Sequence, residues 1–191
     1  MRLTLPLFLA ALTLIFASSC KTQKPAAANQ ESSAEESLTA APSWEDVFFD
    51  ELPALGHRNW LVVADAAFPM QISPGMEVVV ANEDHFVVLE RVLKAISESG
   101  HVRPKIYLDQ ELAFVPEALA PGMNAVRKKL ETMLAKYEVK PVLHEELIAK
   151  TFKILMIKTN MALPYTTVFM DLDCGYWSPE NEAKMRELMK K

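Results

Sequence analysis

His57 and Asp65 bracket a short apolar run in the segment 55–69, LGHRNWLVVADAAFP. A histidine, with an ordinary pKa near about 6.5, gives and takes protons at neutral pH, and an aspartate supplies an acceptor or a base. Such a pair suits proton-transfer chemistry that needs no metal and no organic cofactor. Its spacing poses a difficulty, because at about 3.3 Å per residue an extended path from His57 to Asp65 covers about 26 Å. One small substrate cannot bridge that distance. Either the chain turns back at Arg58–Asn59, or the histidine of one subunit serves a site completed by a neighbour.

The elements around the pair read as alternating strands and helices. Trp44–Leu55 carries apolar residues at 44, 47, 48, 52 and 55, which suits a short helix broken near Pro53 and ended by Gly56. Trp60–Ala64 and Met76–Ala81 are unalternating apolar runs, the pattern of strands covered on both faces. Asn82 is placed to cap a helix whose stripe is Phe86, Leu89, Val92, Leu93 and Ile96, stopped by Gly100. Lys105–Leu108, Val139–Leu143, Lys153–Lys158 and Thr166–Leu172 are further strands. Helices are expected at Met123–Tyr137 and His144–Thr151, and Ser178 followed by Pro179 starts a last one that runs through Met189. The fold class expected is α/β, a single three-layer α/β/α domain with a mostly parallel sheet. Ligands of such sheets sit beyond the carboxyl ends of strands, and Asp65 occupies one.

The LGHRNWLVVADAAFP segment resembles the signature of the ribose pyranase and fucose mutarotase family, in which a glycine-histidine pair precedes an apolar strand, Asp-Ala and a proline; the form DAAFP leans toward the fucose branch. The similarity is strong at 55–69 and continues in order to about residue 175, omitting the first 42 residues and the closing helix. It implies a cofactor-free mutarotase or pyranase acting on a free monosaccharide by acid–base proton transfer. It implies His57 as the catalytic proton donor and Asp65 as a sugar contact. His144, opening HEELIAKTF, resembles a family histidine, and Tyr165 in LPYTT lies at the family's Tyr-x-Asn sugar motif, with Thr167 in place of the asparagine. Asn160 and Met161 stand where the family has Gly-Glu, so a carboxylate is lost. The family's ring-like oligomers favour the shared-site answer for His57 and Asp65, and hence a homo-oligomer. The competing reading is a non-catalytic sugar-binding lipoprotein on the same fold; a structural protein without a ligand is a third.

Read by residue type alone, His57 is a locally hydrogen-bonded histidine, Asp65 a turn residue, His144 the start of a helix and Tyr165 a packing residue. His85 and His101 are expected to be solvated, and Cys174 to be a small apolar residue near a strand end, with nothing to depress its pKa. A thiol hydrolase has no local signature here. Four histidines and Cys174 show no HxxxH or CxxC spacing, so no metal site is expected. The methionines at 123, 133, 156, 161, 170, 185 and 189 are expected to fill the core.

Residues 1–19, MRLTLPLFLAALTLIFASS, have the charged start and short apolar block of an export signal. AlaSerSerCys at 17–20 resembles a lipobox, which marks Cys20 for lipidation and places the protein outside the cytoplasm, anchored to a bacterial membrane on its periplasmic or cell-surface side. Residues 20–42, rich in Ala, Ser, Glu and Gln, read as a disordered tether. Residues 43–191 form the domain. With Cys20 lipidated, no internal disulfide is available. A net charge of −5 and a pI near 5.4 argue against nucleic acid as a partner.

Overall fold

The computed structural model describes residues 41–70, 74–150 and 154–190. Cys20, the signal and the tether to residue 40 lie outside them. Helix α1 (Trp44–Glu51) begins with a capping box in which Ser43 and Asp46 exchange bonds to each other's backbone, and a 3-10 turn, Leu52–Ala54, absorbs Pro53. Strands β1 (Trp60–Ala64) and β2 (Glu77–Val80) follow, then α2 (His85–Ser99), β3 (Val102–Asp109), α3 (Met123–Leu134), β4 (Val139–Val142), α4 (His144–Lys150), β5 (Ile154–Lys158), β6 (Val168–Cys174) and α5 (Pro179–Leu188). Among the described residues no helix is long and apolar enough to cross a membrane.

One six-stranded sheet has the order β2-β5-β1-β6-β3-β4. β2, β5 and β1 pair in parallel, as do β3 and β4, and β6 runs antiparallel to both of its neighbours. Alternation along each strand divides the core. Leu61 and Val63 of β1, Leu155 and Ile157 of β5, and Met170 and Leu172 of β6 face the stripes of α1, α2 and α3. Val62, Ala64, Met156 and Phe169 face the other way, against Leu147 of α4 and Phe68. The expected three-layer, mostly parallel α/β domain is what forms.

Several boundaries shift for local reasons. The cap of α2 is Asp84, which accepts from the Phe86 and Val87 amides, while Asn82 takes a left-handed φ of 52° at the end of β2. The predicted stripe is buried and Gly100, φ 70°, stops the helix. β2 pairs only with β5 and is not covered on both faces; Val80 is 67% exposed. β3 starts earlier than expected and includes Pro104, tolerated because β4 pairs only from Ile106 onward and leaves that side of Pro104 an edge. β6 begins at Val168, and ahead of it the Thr166 hydroxyl donates to the Leu163 carbonyl of its own loop and the Thr167 hydroxyl to Asp65. Met123, Met156 and Met170 fill the core as expected, but Met189 at the end of α5 is exposed, and α5 buries no residue.

Gly175 ends β6 where no side chain fits. A Cβ there would lie 2.5 Å from the Gly100 carbonyl oxygen, 2.9 Å from the His101 carbonyl carbon and 3.0 Å from the Val102 nitrogen, all backbone. Gly175→Ala is expected to lower stability by about 1–3 kcal/mol in urea melts. Gly56→Ala, whose Cβ would meet nothing closer than 3.9 Å, is expected to stay within about 0.5 kcal/mol of the parent.

Candidate functional site

The five strands that share a direction end at one edge of the sheet, and the reversed β6 begins there. That edge therefore gathers Asp65 after β1, Thr159 after β5, Asp109 at the end of β3, His144 just after β4, and Tyr165–Thr167 leading into β6. Asp65 is 8% exposed. Its Oδ2 accepts from the Thr167 hydroxyl at 2.8 Å and its Oδ1 from the Ala67 amide at 2.9 Å, while its own amide donates to Thr167 Oγ1 at 3.2 Å. Asp65 also lines an open depression of about 410 Å³ with Ala66, Ala67, Ala162, Leu163 and Pro164.

His144 is the first residue of α4, and two carboxylates of the β3 end hold it. Its Nδ1 is 2.9 Å from Oδ1 of Asp109, and its amide donates to both carboxyl oxygens of Glu111 at 3.3 and 3.2 Å. Its ring meets Tyr165 and Phe68 edge-on, with centroids 5.4 and 6.0 Å away. Tyr165 has φ 59°, a left-handed backbone that a bulky residue adopts only under constraint. The Asp109 side chain is wholly buried, and its Oδ2 has no hydrogen-bond partner. Burial pushes its pKa up, against the opposing pull of the hydrogen bond with His144.

His85, expected to be solvated, is instead fully buried behind this edge. Its Nδ1 lies 3.0 Å from the Thr159 hydroxyl, which donates to the Ala64 carbonyl at 2.9 Å. Burial lowers its pKa to about 4, although Asp65 and Asp84 pull it upward. His101 is also less exposed than expected, with Nε2 within 3.0 and 3.2 Å of the Leu55 and Leu52 carbonyl oxygens.

His57 lies at the opposite edge of the sheet. Arg58 takes a left-handed φ of 73°, so a turn does form, but it does not carry His57 toward Asp65. The Arg58 amide donates to the Leu172 carbonyl at 2.8 Å and the Leu172 amide to the Asn59 carbonyl at 2.9 Å, which keeps the segment along β6. His57 Nε2 is 3.5 Å from Asp173 Oδ1, and its side chain is 55% exposed. Asp173 also meets Arg103 at 2.9 Å and Lys105 at 3.1 Å. Burial raises its pKa, but hydrogen bonds from Arg103, Lys105 and the Cys174 amide outweigh that and bring it to about 2. Cys174 is a free, half-buried cysteine at the end of β6. The whole of β1, roughly 16 Å, thus separates His57 from Asp65 within one chain.

The structure brings together Asp65, Thr167, Tyr165 and His144, and leaves His57 apart. Asp109, Glu111, Phe68 and Thr159 are not among the residues the sequence singles out, and His85 stands there only as a solvated histidine. Asp109 had the same signal as Asp65, an aspartate at a strand's carboxyl end. Among the described residues no cluster of His, Cys, Asp and Glu is arranged to hold a metal ion.

Residues 47–175 match the model of a family described as RbsD / FucU transport proteins. The chain belongs to the RbsD / FucU family. α5 lies beyond the match. Among solved structures, Bacillus subtilis RbsD complexed with D-ribose is 20% identical, with a TM-score of 0.48 over 71% of this chain and 98% of that one. Fucose mutarotase from Streptococcus pneumoniae in complex with L-fucose is 13% identical, with a TM-score of 0.49 over 66% and 91% of the two chains. FucU from Bifidobacterium longum is 14% identical, with a TM-score of 0.44 over 66% and 93%. No curated protein sequence matches significantly.

The buried His85 has a pH consequence. Its folded pKa, about 4, lies below the ordinary 6.5, so the unfolded chain binds the proton more readily. The stability it confers is complete above about pH 6.5 and is lost as the pH falls toward 4, by up to about 3 kcal/mol. Urea melts between pH 7.5 and 4 should follow that fall, and His85→Gln should flatten it.

Proposed function

We propose that this protein binds a free monosaccharide at the edge carrying Asp65, His144 and Tyr165 and interconverts its ring forms or anomers by proton transfer. Family membership supports this, and so does one observation above the others: a buried aspartate and a carboxylate-held histidine stand at the carboxyl-end edge of one sheet, linked through Thr167 and Tyr165 at the start of β6, and the aspartate lines an open depression.

The chemistry needs one donor and one acceptor. An acid protonates the ring oxygen while a base takes the proton of the anomeric hydroxyl; the bond from the anomeric carbon to the ring oxygen breaks with its electrons going to that oxygen, leaving an open-chain carbonyl. Rotation about the adjacent carbon–carbon bond and reversal of the proton transfers close the ring on the other face, or from another hydroxyl. His57 serves as the acid, contributed by a neighbouring subunit of a homo-oligomer, because within one chain it stands at the far end of β1. Asp65 accepts hydrogen bonds from sugar hydroxyls. Thr167 acts chiefly through Asp65, since its hydroxyl proton is committed to Oδ2. Tyr165 offers a ring edge and a hydroxyl to the sugar. No cofactor takes part.

We place the protein outside the cytoplasm, lipid-anchored through Cys20 and held off the membrane by the tether. A non-catalytic sugar-binding lipoprotein is the second reading, favoured by Met161, an uncharged side chain packed partly into the core where the family has a carboxylate.

Saturation-transfer NMR with ribose, fucose, galactose and glucose separates these readings. A mutarotase accelerates exchange for one of them, and His57→Ala slows that exchange by about 100-fold. Saturable binding without acceleration would identify the binder, and neither effect would overturn the assignment to sugars.

A further inference from the structure

We infer that Asp109 is a positioning residue for His144, fixing the imidazole as the Nδ1–H tautomer so that Nε2 presents a lone pair to the ligand edge. The inference rests on the sugar-site reading for its use in catalysis, but its geometry stands independently. The Nδ1 to Oδ1 distance of 2.9 Å is that of a full hydrogen bond. An ionised carboxylate can only accept. With Asp109 ionised, Nδ1 must carry the hydrogen, and the neutral ring's second nitrogen is left as the acceptor.

The contact is not needed to cap α4. Glu111 already accepts from the His144 amide with both of its carboxyl oxygens. Burying a carboxyl group with one oxygen unpartnered is costly. Such a cost without a capping role points to a purpose at the histidine. Phe68 and Tyr165 hold the ring edge-on from two further directions, and Tyr165 does so from a constrained backbone.

This assigns the chain a base of its own. The family's glutamate is missing at Met161, and a lone pair on Nε2 of His144 supplies an acceptor for the anomeric hydroxyl proton. Asp65 then binds the sugar, His144 takes the proton, and Asp109 holds His144 in the form that can take it.

Long-range ¹H–¹⁵N NMR of the ¹⁵N-histidine-labelled protein reads the tautomer directly, without sugar. At pH 7.5 the expected pattern for His144 is a protonated Nδ1 and an unprotonated Nε2, with His144→Gln assigning the signals. The Nε2–H tautomer in the parent protein would overturn the inference, whatever the variants do. Asp109→Asn should move His144 toward the other tautomer and cut sugar exchange at least tenfold with sugar affinity changed less than threefold, and Asp109→Glu should restore part of the rate. An Asp109→Asn protein that keeps both tautomer and exchange rate would also overturn it. If the parent shows the expected tautomer but accelerates no sugar's exchange, the positioning stands and the catalytic reading fails.

Discussion

The reversal of one strand organises this protein. β6 lies in the middle of the sheet, hydrogen-bonded to β1 on one side and β3 on the other, and runs against both. All the other strands point one way, so their carboxyl ends carry Asp65, Thr159, Asp109 and His144 to a single edge. Only an antiparallel strand brings its own beginning to that edge. Thr167 can therefore donate to Asp65, and Tyr165 can meet His144, although about a hundred residues separate the first pair in sequence. A parallel β6 would put Asp173 and Cys174 there instead.

The same reversal divides the titratable groups between two ends. Asp173, at the far end of β6, anchors His57, Arg103 and Lys105 in an ion-pair cluster at the edge where β1 and β3 begin. The cluster holds its histidine by a loose 3.5 Å contact and leaves it more than half exposed, whereas the other edge holds His144 by a buried carboxylate and two aromatic rings. One histidine is presented outward and the other is fixed in place. On our proposal the first is the acid offered to another subunit's site and the second the base of its own.

Much of this was legible in the sequence. The unbroken apolar run Trp60–Ala64, the stripe Phe86–Ile96 with Gly100 behind it, and Ser178-Pro179 follow from residue periodicity and cap chemistry, which act within a few residues. Asp65, His144, Tyr165 and Thr167 were nameable because they sit in short recognisable segments. The direction of β6 was not legible, since it is fixed by pairing with strands that lie far off in sequence. The same holds for Asp109, whose meaning depends on His144, which lies beyond a helix and another strand. His85 reads as solvated because it follows Asp84 in a polar segment, whereas the start of α2 packs it against Thr159 after β5. Asn82 lost the cap to Asp84 because a left-handed residue cannot supply the extended backbone an N-cap needs.

The central claim is that one functional site draws His57 from one subunit and Asp65 from another. The most direct measurement mixes two variants, His57→Ala and Asp65→Ala, by refolding them together at equal amounts and following sugar exchange by NMR. Each alone should be nearly inactive. Random assembly pairs an intact His57 with an intact Asp65 in about a quarter of sites, so exchange should recover to about a quarter of the parent rate. An active parent whose two variants, each still oligomeric, show no recovery on mixing would contradict the account.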